Sequence, residues 1–235
     1  MKLHSLGRAT AAIFMLLGFA ALPACNTAIA KPKTTPDPAV DESVGTKSGQ
    51  QTLVLAGGCF WGQQLVFEHV KGVVNVTAGY SGGSVKNPSY EMVSSGTTGH
   101  AESVRIVYDP SQITYGKLLK VFFSVAHDPT ELNRQGPDEG TQYRSAIFFT
   151  DQDQQRIAQA YVDQLNQAKV FSHTIVTQIV PFEAFYTAEG YHQDYAVHNR
   201  FSPYIAINDL PKVGDLQKQL PGLYTAKATP YVATR

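Results

Sequence analysis

The chain has 235 residues, 43% hydrophobic and 16% charged, which suits one ordinary domain with a real core and is too apolar for a disordered polymer. Nineteen basic residues balance nineteen acidic ones, and no long basic run occurs. That excludes nucleic-acid binding through phosphate neutralisation and a strongly cationic membrane-surface protein.

Lys2 and Arg8 precede an apolar stretch, Ala11 to Leu22, that is too short to span a bilayer. This pattern predicts an export signal over residues 1–30, and so a periplasmic or cell-envelope protein. Two endings are open. Ala28-Ile29-Ala30 reads as a small-x-small cleavage site, whereas Leu22-Pro23-Ala24-Cys25 resembles a lipoprotein box whose cysteine would carry a lipid, the one expected contact with membrane. Either ending removes or blocks Cys25 and leaves Cys59 as a lone thiol. Paired cysteines are the rule outside the cytosol, so an unpaired one must be buried or used.

Residues 31–50 are rich in Pro, Ser, Thr and charge and read as a flexible linker. Thr52 to Ala56 is an apolar run expected to form a buried strand, closed by Gly57-Gly58. Cys59 to Val70 fits a short helix, Val73 to Tyr80 a strand, and residues 84–100 a loop dense in Gly, Ser, Asn and Thr. Ala101 to Tyr108 alternates as a strand, and Thr114 to Ala126 places Leu118, Leu119, Phe122 and Phe123 on one helical side. A polar loop leads to a strand at Tyr143 to Phe149, a helix at Asp151 to Ala168 and a strand at Thr174 to Val180. The remainder reads as mostly irregular. This order predicts a two-layer α+β domain over residues 51–220 with a mixed sheet and long loops, and an irregular tail over 221–235.

The informative segment is Gly57-Gly58-Cys59-Phe60-Trp61-Gly62. A strand ends, two glycines permit a tight turn, and a thiol stands at the first turn of a helix. Free N–H groups and the positive end of the helix dipole favour thiolate there, as a nucleophile requires. The alternative is a buried structural cysteine with ordinary core aromatics beside it. Read singly, Glu102 is a solvated strand-end carboxylate, Tyr90 and Tyr143 are half-buried aromatics, and Asp138 is a turn residue. The seven histidines show no metal-ligand spacing, so no zinc site is expected, and His100 and His192 read as structural hydrogen-bonders.

GCFWG resembles the active-site motif of the peptide methionine sulfoxide reductase A family. Further segments resemble that family in order: Ala78 to Gly83, Asn87 to Tyr90, Gly99 to Glu102, Val107 to Pro110, His127 to Pro129, Gly140 to Ser145 and Glu189 to Gln193. The resemblance spans about residues 52–212 and implies a ferredoxin-like plait. It implies that Cys59 attacks the sulfur of methionine S-sulfoxide, that Glu102 gives a proton to the departing oxygen, and that Tyr90 and Tyr143 polarise it. Phe60 and Trp61 would then hold the substrate's methyl group, and Asp138 would help position the substrate. No metal, nucleotide or flavin is implied. Many family members carry C-terminal resolving cysteines, yet no cysteine follows Cys59 here. The expected product is a sulfenic acid on Cys59, reduced by an external thiol, either a thioredoxin-like protein or a small dithiol. The expected partners are oxidised proteins or free methionine sulfoxide and that reductant, met by a monomer. Competing readings are a Cys-His-Glu acyl transferase or amidase, an aromatic binding lipoprotein and a peroxidase.

Overall fold

The computed structural model describes residues 35–233. The export signal read in residues 1–30, Cys25 included, lies outside them.

The first strand, β1 (Gln51–Ala56), is apolar and buried from Leu53 to Ala56 because it lies inside the sheet and is covered on both faces. Leu53 and Leu55 point into the main core, while Val54 and Ala56 join a smaller cluster on the other side. It is followed by α1 (Phe60–Glu68), β2 (Val73–Ser81), a short α2 (Tyr90–Ser94), β3 (Ala101–Tyr108) and α3 (Tyr115–Val121). A two-residue ribbon, β4 (Arg134–Gln135) with β5 (Asp138–Glu139), precedes β6 (Ala146–Phe149), α4 (Gln152–Gln167), β7 (Gln178–Pro181) and β8 (Phe185–Thr187). The chain closes with α5 (Tyr195–His198) and α6 (Leu210–Gln219).

Six strands pair in the order β7-β6-β1-β3-β2-β8, all neighbours antiparallel except β6 with β7. The domain is α+β with a mixed sheet. Val66 and Phe67 of α1, Leu118 and Leu119 of α3, and Ile157, Tyr161 and Leu165 of α4 pack against one face of it. Full burial of each such Leu, Ile or Phe contributes roughly 1.5–3 kcal/mol. The opposite face is covered by Val180, Phe182 and Phe185 from the β7–β8 region. On β3 the even-numbered residues Val104, Ile106 and Tyr108 face the helices, which turns Glu102 to the same side.

Several elements depart from the sequence reading. The helix expected through Ala126 changes at Phe122 into a π-helical turn, Phe122–Ala126. The strand expected from Thr174 begins only at Gln178, and the loop over residues 84–100 contains α2, capped by the Ser89 hydroxyl at 3.4 Å from the Met92 N–H. The region read as irregular forms α6 because Pro211 falls in its first turn, where no intrahelical N–H is needed. Residues 224–232 are irregular in backbone but tied down: Thr225 N–H donates to His69 O at 2.9 Å and Asn75 Nδ2 to Val232 O at 3.0 Å.

The expected linker is the largest correction. From Pro36 to Gly45 it runs along the domain as a strap. Tyr161 Oη donates to Pro36 O at 2.8 Å, Lys120 and Lys117 both reach Asp37, and Gly45 N–H donates to Pro110 O at 2.9 Å. Asp41 accepts from Gly116 N–H at 2.8 Å and Thr114 Oγ1 at 2.5 Å, so a residue remote in sequence caps α3. Composition identified polar residues correctly, but these satisfy helix-end donors instead of water. Asp41→Ala removes that cap and should cost about 1–2 kcal/mol in urea unfolding. A freely moving linker would make the substitution neutral.

Candidate active site

Gly57 and Gly58 carry the chain from β1 into α1. Gly58 has φ +88, and a Cβ there would stand 2.4 Å from Gln135 Cγ. The turn puts Cys59 at the N-cap of α1 with 9% of its surface exposed. Across from it Glu102, 2% exposed, accepts the Phe60 N–H at 3.0 Å. A carboxyl on the sheet and a thiol on the helix therefore share one helix terminus.

The electrostatics reverse one expectation. Burial raises the Cys59 thiol well above its ordinary range, and Glu102, Asp209 and Asp138 add to that; the Trp61 N–H opposes them and is outweighed. The helix end alone does not produce a resting thiolate. Burial likewise pushes Glu102 up to about 8, helped by Asp138 and Asp209 and opposed by the Phe60 N–H and the Cys59 thiol. Near neutral pH both groups keep a proton.

The other expected residues gather around this pair. Tyr90 opens α2, and its N–H donates to Glu189 Oε1 at 2.9 Å; the same carboxylate accepts Tyr80 Oη at 2.9 Å. Tyr143 ends a 3₁₀ turn, Thr141–Tyr143. Burial raises both phenols, and both feel the charges of Glu102 and Cys59. Phe60 is fully buried, its ring 5.8 Å from Tyr80 and 5.1 Å from His192. Half-buried Trp61 stacks on Tyr195 at 3.9 Å and donates its indole N–H to His192 Nδ1 at 3.1 Å. Asp138 faces a small cleft beside Cys59 and accepts the Tyr204 hydroxyl.

Two residues of this cleft wall, Tyr204 and Lys212, and buried Asp209 behind it escaped the sequence reading. Tyr204 sets its ring edge against Trp61 at 6.1 Å. Asp209 is fully buried with Lys212 Nζ at 3.2 Å, and Lys212 lines the cleft. A Cβ on Gly62 would fall 2.1 Å from Asp209 Oδ1, which explains the last glycine of the motif. The available signal was the Asp209–Lys212 spacing of three, obscured by Pro211 between them.

Supporting side chains freeze the loops. His100 Nδ1 accepts Gly83 N–H at 3.0 Å and Nε2 donates to Val85 O at 2.7 Å. Arg144 donates to Thr141 O at 2.9 Å and Gly99 O at 3.0 Å, joining the segments that carry Tyr143 and Glu102. Gln193 bonds both backbone groups of Ala78 at 2.9 Å. Among the described residues, no three His, Cys, Asp or Glu side chains stand where they could hold a metal.

A family profile described as peptide methionine sulfoxide reductase matches residues 51–222. The chain belongs to that family, in its A class. Peptide methionine sulfoxide reductase MsrA 2 of Mesorhizobium japonicum is 56% identical over 179 residues, 76% of this chain and 92% of that protein. The protein of the same description from Synechocystis is 52% identical over 189 residues, covering 80% and 88%. Among solved structures, methionine sulfoxide reductase A of Corynebacterium diphtheriae aligns with TM-score 0.56 at 38% identity, covering 66% of this chain and 77% of that one. Reduced Mxr1 from Saccharomyces cerevisiae aligns with TM-score 0.58 at 32% identity, covering 69% and 91%. The reductase acts on peptide methionine (S)-S-oxide.

The raised Glu102 has a consequence for stability. Unfolding returns it from about 8 to the ordinary 4.5. Between those values the native protein binds the extra proton, so stability falls as pH rises through the window and levels off above it. Buried Glu68, up to about 10, adds a loss of the same sign in any variant that keeps it. Glu102→Gln should therefore show a shallower decline of unfolding free energy from pH 5 to 8.5 than the parent, by up to about 4 kcal/mol. Equal slopes in urea titrations would contradict a proton held on Glu102.

Proposed function

We propose that Cys59 is the nucleophile and Glu102 the acid of the reductase reaction, and the observation that carries this is their shared burial at the start of α1. A site this dry resists holding a thiolate and a carboxylate together. Attack and protonation must then be coupled. Cys59 Sγ bonds to the sulfoxide sulfur as Glu102 gives its proton to the oxygen, and the thiol proton restores Glu102. When the oxygen passes to Cys59, the S=O bond of the substrate is gone, methionine leaves, and Cys59 is a sulfenic acid. One oxygen atom has moved, the substrate sulfur has gained two electrons, and Cys59 has lost two.

Tyr90 and Tyr143 would hydrogen-bond the oxygen, Phe60 and Trp61 would receive the methyl group, and Asp138 would orient the rest of the substrate. That arrangement presents only one epimer at sulfur to Cys59. The histidines near the site support this reading over a Cys-His amidase: His127 bonds Phe122 O at 3.1 Å and Ser145 Oγ at 2.7 Å, while His192 is committed to Trp61. No cysteine follows Cys59 in the sequence, so an external thiol, thioredoxin-like or a small dithiol, would attack the sulfenic acid and release water. The basic start and short apolar stretch support export, with processing after Ala30 or a lipid on Cys25. Repair of oxidised exported proteins by a monomer is the role this implies. The central order β6-β1-β3-β2, with helices packed on one face, supports a ferredoxin-like plait.

A single turnover of the S epimer without reductant should release one methionine per protein and leave a species that dimedone traps. The R epimer should release none. Glu102→Gln should slow the chemical step by roughly 10²–10⁴-fold, and the parent rate should decline above about pH 8 as the acid loses its proton. Full activity in Cys59→Ser, or turnover with no trappable sulfur, would sink the mechanism.

A further inference from the structure

His192 stands where three of the proposed substrate-contacting side chains meet. Its ring centroid lies 4.4 Å from Tyr90, 5.1 Å from Phe60 and 5.8 Å from Trp61, and only 2% of the residue is exposed. Nδ1 accepts the Trp61 indole N–H at 3.1 Å. An indole nitrogen is a donor only, so Nδ1 must carry a lone pair and the ring proton sits on Nε2. Nε2 is buried without a hydrogen-bond partner. Leaving such a group unbonded is costly, and the one polar contact this ring does make is with Trp61.

We propose that His192 is a positioning residue for sulfoxide binding: its neutral imidazole fixes the Trp61 indole as the wall that receives the methyl group, and a proton on Nδ1 releases that wall. The inference rests on the reading of Trp61 as part of the substrate pocket. Two carboxylates face the ring, Glu189 on its own turn and Glu91 on α2, and both favour the imidazolium. Burial outweighs them and moves His192 below its ordinary 6.5. The remaining neighbours bring no charge at neutral pH: Phe60 and Trp61 from α1, Tyr90 from α2 and Tyr191 beside it. The neutral form thus dominates at working pH, and acid is the condition that would unlock Trp61.

Trp61 is the only tryptophan in the chain, so intrinsic emission reports on this contact directly. Emission of the reduced parent protein, without substrate, should change through one protonation step as the pH falls through and below the ordinary histidine range, and KM should rise over the same step. His192→Asn, whose side-chain oxygen can stand near the place of Nδ1, should abolish both transitions. His192→Leu should raise KM about tenfold while kcat stays within about twofold, because the wall acts on binding more than on the Cys59 chemistry. Asn should recover most of that loss. The proposal is overturned if parent emission is flat over the range, if the step persists in His192→Asn, or if His192→Leu lowers kcat with KM unmoved. Should the Leu variant fail to fold, the emission titrations of the parent and the Asn variant still decide. Those titrations involve no sulfoxide, so a failure of the proposed chemistry would leave their outcome intact.

Discussion

The hydrogen bond from the Phe60 amide to the Glu102 carboxyl crosses from the helix layer to the sheet beside the one thiol among the described residues. It joins the two features that make the site. The amide belongs to the first turn of α1, where backbone donors lack intrahelical partners. The carboxyl belongs to a β3 face otherwise given to Val104, Ile106 and Tyr108. The helix end would stabilise negative charge, while burial opposes it for both acids. The result is a pair in which ionising one group makes ionising the other harder. The proposed coupling of proton transfer to sulfur attack rests on that constraint.

Such a pair needs walls that hold still. Glu189 gathers Tyr80 and Tyr90, Arg144 ties the turn of Tyr143 to the entry of β3, and Gln193 clips the α5 approach onto β2. Each uses a charged or amide side chain to satisfy backbone groups that loops would otherwise expose to water. The irregular segments thereby gain fixed positions without extending the sheet. The Asp209–Lys212 ion pair packs against α1 in the space left by Gly62.

Much of this could be read from residues alone. The apolar run of β1, the glycine turn and the thiol at a helix start followed from local rules, and α4 was legible from its period and its Asp151 cap. Glu102 read singly was mistaken for a surface carboxylate, although it continues the alternation of Val104 and Ile106 into the buried face. What stayed hidden depends on contacts between distant segments. The strap from Pro36 to Gly45 looks like a linker by composition, and only the three-dimensional placement of α3 gives Asp41 something to cap. The α6 segment was concealed by Pro211 and Gly214, and with it Tyr204, Asp209 and Lys212. The thiol's raised pKa was also beyond local reasoning, because the helix end was visible in sequence while the burial that dominates the shift, and Asp209 beside it, were not.

The central claim is that Glu102 and Cys59 titrate as a coupled pair, and the thiol itself reports it. The rate of Cys59 alkylation by iodoacetamide, followed against pH in reduced protein, gives the thiol's ionisation in the parent and in Glu102→Gln. Removing the carboxyl's charge should lower the pKa of Cys59 and raise its reactivity at mildly alkaline pH. Superimposable profiles would show that the two groups do not sense one another, and the coupled mechanism would fall with that result.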